Sequence, residues 1–166
     1  MLRGCASVVL AVGLSACAGT LRDGLFRKTG VAYRVSSPDP AAFQPVRFSD
    51  NDLAWAAVGS SHLLAMNAVC EGHGDAPLDV LTRHLLFGFS ERQQVSSALE
   101  MIDGREGLRT VWTAKLDGVP VELELVVLKK NGCVHDFMYV SPPGARGVHE
   151  AEFDALVKGF RQQERD

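Results

Sequence analysis

The chain has 166 residues, of which 46% are hydrophobic and 22% charged, and its formal net charge is −3. A length of this order suits one domain that buries about two thirds of its unfolded surface, so neither a metal nor a dense disulfide frame is needed for folding. The apolar fraction excludes intrinsic disorder, and the mildly acidic balance leaves no basic footprint for nucleic acid.

The first residues are an address. Met1-Leu2-Arg3-Gly4 carries one positive charge, and the ten residues from Cys5 to Leu14 are mostly apolar. A membrane-spanning helix needs about 20 apolar residues, so this run is too short to cross a bilayer. It has the length of the apolar part of a secretion signal. Leu14-Ser15-Ala16-Cys17 follows. This segment resembles the lipobox of bacterial lipoproteins: a branched apolar residue, two small residues and a cysteine. The resemblance implies that Cys17 accepts a diacylglyceryl group, that residues 1–16 leave as a signal peptide, and that the new amino terminus is acylated. Acyl chains hold a protein to a membrane at about 0.8 kcal/mol per buried methylene. Ala18, rather than Asp, follows the cysteine. By the enterobacterial sorting rule this implies an outer-membrane anchor facing the periplasm. Without Arg3 the side chains number 16 basic and 20 acidic, a net −4.

Cys5 leaves with the signal, so Cys70 and Cys133 remain. An even pair in an oxidising compartment points to a disulfide. Closing so long a loop contributes about 4 kcal/mol on the chain-entropy account. Two buried free thiols, or a metal site, are the competing readings. Cys70 and His73 have C-x-x-H spacing, and His135 lies two residues after Cys133. A structural zinc site ordinarily shows a second paired motif, which is missing here.

In chain order, residues 17–30 show no clean period and read as a membrane tether, with a single domain from 31 to 166. Val31 to Val35 has strand composition. Pro38, Pro40 and Pro45 interrupt regular structure. Leu53 to Val58 and His62 to Cys70 flank Gly59-Ser60-Ser61 as a hairpin, with Leu53, Trp55 and Ala57 on one face. Asp75-Ala76-Pro77 predicts a capped helix start. Leu78, Leu81 and Leu85 supply its stripe as far as Gly88, giving a helix over 76–87.

The next fifty residues carry the strongest pattern. Asp103-Gly104, Asp117-Gly118 and Asn131-Gly132 recur every fourteen residues. Asn or Asp before Gly tolerates the positive φ of tight hairpin turns. Val119, Val121, Leu123, Leu125 and Val127 alternate with Glu122 and Glu124, which is period two. A four-stranded antiparallel meander ending at Cys133–Val140 is expected. Ser141-Pro142-Pro143-Gly144 closes it. Phe153, Leu156, Val157 and Phe160 then predict a final helix from about His149 to Arg161, with acids at its start and bases at its end.

The order hairpin, helix, long meander and C-terminal helix resembles the Mog1/PsbP-like fold, which bacterial lipoproteins also use. The resemblance spans about Val31 to Arg161 and implies an α+β domain with an antiparallel sheet of six to seven strands. Its members do unrelated things, including a photosystem accessory role and binding of a small GTPase, so no functional residue is carried over.

The search for chemistry returns little. No phosphate loop, H-E-x-x-H or G-x-S-x-G occurs. Ser60, Ser61 and His62 adjoin, but neighbours on a hairpin point to opposite faces, which argues against a nucleophile–base pair. His84 lies beside the helix stripe and reads as a surface residue. His135 and Asp136 alternate on a strand and so face apart. Glu122 and Glu124 read as a solvated sheet face. Trp55, Trp112, Phe137 and Tyr139 read as core. No catalytic residue, metal or cofactor is assigned. The expected function is a lipid-anchored, non-enzymatic envelope module that binds a partner protein or assists an assembly. The alternatives are a small-molecule or lipid-handling accessory of a membrane transporter, which needs an apolar pocket between sheet and helices, and a hydrolase assembled from distant residues.

Overall fold

A computed structural model describes residues 19–163. The lipobox, with Cys17, lies outside the described residues. The fold is α+β with two antiparallel sheets. The larger has seven strands in the order β4-β5-β6-β10-β9-β8-β7. These are β4 (Phe43–Val46), β5 (Leu53–Ala57), β6 (Leu63–Val69), β7 (Phe89–Ile102), β8 (Arg105–Leu116), β9 (Val119–Lys130) and β10 (Cys133–Ser141). The expected hairpin is β5–β6, and the expected meander is β7 to β10. Its three turns have positive φ at both central residues: Asp103 and Gly104, Asp117 and Gly118, Asn131 and Gly132. That is the backbone the turn dipeptides demand.

The smaller sheet pairs β1 (Thr20–Arg22), β2 (Leu25–Lys28), β3 (Val31–Arg34) and β11 (Arg161–Gln162) in that order. It corrects the tether reading, because residues 20–28 are part of the fold. Phe26 is 1% exposed in the core. Strands of three and four residues are too short to show a period, but Asp23-Gly24 is one more positive-φ turn.

The helices cover opposite faces of the large sheet. Helix α1 (Leu78–His84) sets Leu81 on Val127 and Val134, while Leu86, just beyond it, packs with Ala114, Leu123 and Leu125. The helix is shorter than expected. The amides of Leu85, Leu86 and Phe87 bond three residues back rather than four, so the last turn tightens and stops. Asp75 does not cap it; its carboxylate accepts from Lys129 Nζ at 2.9 Å, and Pro77 occupies the cap position. Helix α2 (Glu150–Lys158) and the small sheet cover the other face. There Phe153, Leu156, Val157 and Phe160 pack with Phe26, Tyr33, Trp55, Met66, Phe137 and Tyr139. Helix α2 ends before Arg161 because Arg161 and Gln162 pair with Arg34 and Tyr33 as β11.

Candidate functional site

The two sheets meet along one edge, and a cleft of about 890 Å³ opens there. One wall is the β1–β2 hairpin, with Gly19, Thr20, Leu21, Arg22 and Lys28. The other is β4 and the loop after it, residues 45–52. At the floor, Asp52 continues the β5–β6 ladder beyond its last strand pair. Its backbone amide donates to Met66 O at 3.0 Å, and its carboxylate accepts from the Ala68 amide at 3.1 Å. Lys28 Nζ donates to Asp52 Oδ1 at 2.6 Å and to Ala68 O at 2.7 Å. The Tyr33 hydroxyl donates to Asp52 Oδ2 at 3.3 Å. One carboxylate thereby ties the small sheet to the large one. Burial raises the Asp52 pKa, against the lowering effect of Lys28. Burial and the Asp52 charge push the Tyr33 hydroxyl well above its ordinary value.

Asp136 is buried on β10, directly across from Asn67 on β6. Burial pushes its carboxyl up to about 7, with the nearby Asp52 charge acting the same way and Lys28 opposing. His135 faces away from it and packs against Phe160 and Tyr33. Burial brings the His135 imidazole down to about 4. The opposite facing of these neighbours is as the strand pattern requires.

Cys70 and Cys133 form a disulfide, with Cα atoms 3.9 Å apart. They follow the Val69–Val134 pair at the end of the β6–β10 ladder, so the register itself brings them opposite. With both sulfurs bonded to each other, neither is a thiolate available to a metal. His73 is partly buried and contacts Gly74 O and Gly132 O. Among the described residues no three His, Cys, Asp or Glu side chains form a metal-binding group.

Glu124 is not on a solvated face. It is 2% exposed beneath the start of α2 and accepts from Arg109 and Arg146, the latter at 2.7 Å. Arg109 also pairs with Glu100 and with Asp154 of α2, and lies over the Phe153 ring at 5.5 Å. Alternation placed Glu124 on its face correctly; the covering helix is supplied by residues much later in the chain.

Ser60 and His62 do meet, contrary to expectation. Two residues apart in the turn, they bring Ser60 Oγ within 3.0 Å of His62 Nδ1, while His62 Nε2 lies 3.3 Å from Ala145 O. With Nε2–H donating to the carbonyl, Nδ1 accepts the hydroxyl proton. Among the described residues no carboxylate orients this imidazole, and its contacts link the β5–β6 turn to the segment before α2. His84 is exposed and stacks on Phe87, while Trp55, Phe137 and Tyr139 are core. Trp112 is partly buried against the Leu86 cluster.

The second prominent surface is the β7 side. Strand β7 is an edge of the large sheet. Val95, Leu99 and Met101 on β7 are 60–71% exposed, and Phe87 just before β7 and Val119 at the start of β9 are 75% and 62% exposed. Leu99 lies opposite Leu108, and Leu116 opposite Val119, in the paired strands. Two bulges, at Glu91–Arg92 and at Val95, interrupt the first half of β7, whereas Ser96–Ile102 runs in unbroken register. The space between sheet and helices, which an apolar ligand pocket would occupy, is filled by Leu86, Phe137, Phe153 and Phe160. No helix among the described residues is long and apolar enough to cross a membrane.

No family model and no curated protein matches the chain. Solved structures do. The cyanobacterial PsbP protein CyanoP from Synechocystis sp. PCC 6803 has TM-score 0.57 at 12% identity, covering 94% of this chain and 99% of its own. A Pseudomonas aeruginosa protein of unknown function has TM-score 0.53 at 13% identity, covering 85% of this chain and 97% of its own. LpqN, involved in cell envelope biogenesis of Mycobacterium tuberculosis, has TM-score 0.53 at 10% identity, covering 81% of this chain and 86% of its own. At such identities the likeness is one of fold, and the fold is PsbP-like.

Proposed function

We propose that this protein is a lipid-anchored bacterial envelope module that acts without catalysis, binding a partner protein through the β7 flank. The carrying observation is β7 itself. A long edge strand with an unbroken segment at Ser96–Ile102 and exposed Leu99 and Met101 offers backbone pairing groups and apolar anchors together. Exposed apolar surface gathered on one side of a small protein marks an interaction site. The lipobox at Leu14–Cys17 and a bonded Cys70–Cys133 pair both support an oxidising envelope location, and Ala18 after the cysteine supports, by the enterobacterial sorting rule, an outer-membrane anchor facing the periplasm. The envelope role of LpqN, on a similar fold, supports the same reading.

Two measurements test it. Photo-crosslinking residues introduced at Leu99 and Met101 in intact cells should each trap one discrete protein adduct. The same residue at Val58, an exposed site on the β5–β6 turn, should not. Failure to trap any protein along β7 counts against the module. Cys17→Ser should abolish palmitate labelling and release the protein from the membrane fraction; a variant that still labels refutes the anchor.

A further inference from the structure

We infer that the cleft between the two sheets is the face this protein lays on the membrane, where it docks on an anionic phospholipid surface with Arg22 and Arg47 gripping headgroup phosphates from its two walls. The inference rests on the anchor at Cys17 and adds what the anchored domain does with the bilayer beneath it.

Chain length sets the geometry. Two peptide steps separate Cys17 from Gly19, a reach of at most about 7 Å. Gly19 lines the cleft. Its backbone lies on the Phe26 ring so closely that a Cβ at this position would overlap the ring, and Phe26 is buried and cannot yield. Gly19 is thus packed against the fold at the cleft, and an acyl chain on Cys17 would enter the bilayer within two peptide steps of it.

Charge is sorted to match. Residues 20–34 carry four basic side chains (Arg22, Arg27, Lys28 and Arg34) against one acid, Asp23. The rest of the fold, from residue 35 on, carries twelve basic and nineteen acidic side chains. A basic segment beside a lipid anchor is attracted by anionic headgroups, and the acidic remainder is repelled to the far side. Within the cleft, Lys28 and Asp52 satisfy each other. Outside that pair the lining has Arg22 on β1, Arg47 at the start of the β4–β5 loop, and one acid, Asp50. Neither guanidinium has a hydrogen-bond or ion-pair partner among the described residues. A guanidinium binds phosphate oxygens through a two-pronged fork, and two of them across a cleft suit a phosphodiester. Phe48, half exposed on the same loop, supplies an apolar ring for the interfacial layer.

The chain's two tryptophans provide the test. Trp55 lines the cleft, and Trp112 lies on β8. Four strand steps separate β5 from β8 in the sheet order, a span of about 19 Å. The acylated mature protein, purified from membranes, is reconstituted in phosphatidylglycerol/phosphatidylethanolamine vesicles containing a lipid with a nitroxide headgroup. Trp112→Phe leaves the Trp55 signal, and its difference from wild type gives Trp112 without a second variant. We expect Trp55 to be quenched several-fold more than Trp112. The preference should collapse in R22E/R47E, and when neutral phosphatidylcholine replaces both lipids. Intact mass of the same preparation separates the failures. Absent acyl mass sinks the anchor and this inference with it. Acyl mass present, with equal quenching of the two tryptophans or an unchanged preference in R22E/R47E, sinks the inference alone.

Discussion

His135 and Asp136 are adjacent on β10, face opposite sides of the large sheet, and titrate in opposite abnormal directions. His135 is held neutral, its pKa brought from 6.5 to about 4, so its contribution to stability is lost as pH falls from about 6.5 towards 4. Asp136 is raised from 3.8 to about 7, so its contribution is present at acid pH and lost as pH rises through about 7. Each unit of displacement corresponds to about 1.4 kcal/mol. Between about pH 4 and 6.5 the two slopes oppose, and the native chain should show a shallow stability profile. Asp136→Asn should expose the histidine slope, with stability falling towards acid. His135→Phe should tilt the profile the other way. Urea midpoints from pH 4 to 8 measure both, and parallel profiles for the two variants would refute this account.

The Cys70–Cys133 bond closes a separation of 63 residues. Replacing both cysteines by alanine should lower unfolding stability by about 4 kcal/mol, less whatever structure the unfolded chain retains. Urea unfolding with and without reductant checks it. Wild type under reductant should match the double variant, and an unaffected midpoint would mean that the bond does not form.

Glu124 holds Arg109 and Arg146 beneath α2. Glu124→Leu removes the buried carboxylate but leaves Arg109 its pairs with Glu100 and Asp154 and Arg146 its pair with Glu150, at a cost of about 2 kcal/mol, below the fully buried case because these partly exposed carboxylates remain. Adding Arg146→Met should recover part of that loss. A double variant less stable than the single one would show that Arg146 is held chiefly by Glu150, 2.6 Å away, and would refute Glu124 as its main partner.

Leu99→Lys and Met101→Lys remove exposed apolar anchors without touching the core. Each should change stability by less than about 0.5 kcal/mol. Leu99→Lys should abolish crosslinking from a probe at Met101, and Met101→Lys crosslinking from a probe at Leu99. Retained crosslinking at wild-type efficiency would move the binding surface elsewhere.

How much of this was legible depends on how local each signal is. The meander was readable because its turn dipeptides and alternation act over two to fourteen residues, and its backbone follows them at all three turns. The β1–β2 hairpin was missed because three- and four-residue strands carry no measurable period, although Asp23-Gly24 is the same turn signal. The solvated reading of Glu124 failed because burial there is supplied by α2, far along the chain.

The sequence by itself determined the sheet-building half of this protein, and its even pair of cysteines beyond Cys17 pointed to the Cys70–Cys133 bond. Hairpin register and strand facing follow from side-chain alternation and backbone preference, which neighbouring residues settle among themselves. Only the tertiary structure decided that Lys28, Tyr33 and Asp52 share one junction, that Gly19 rests on Phe26 beside a basic cleft, and that β7 remains an edge. Those depend on which surfaces meet when two sheets and two helices close on a common core, and burial of that kind is set by segments too distant to leave a mark in any local stretch of residues.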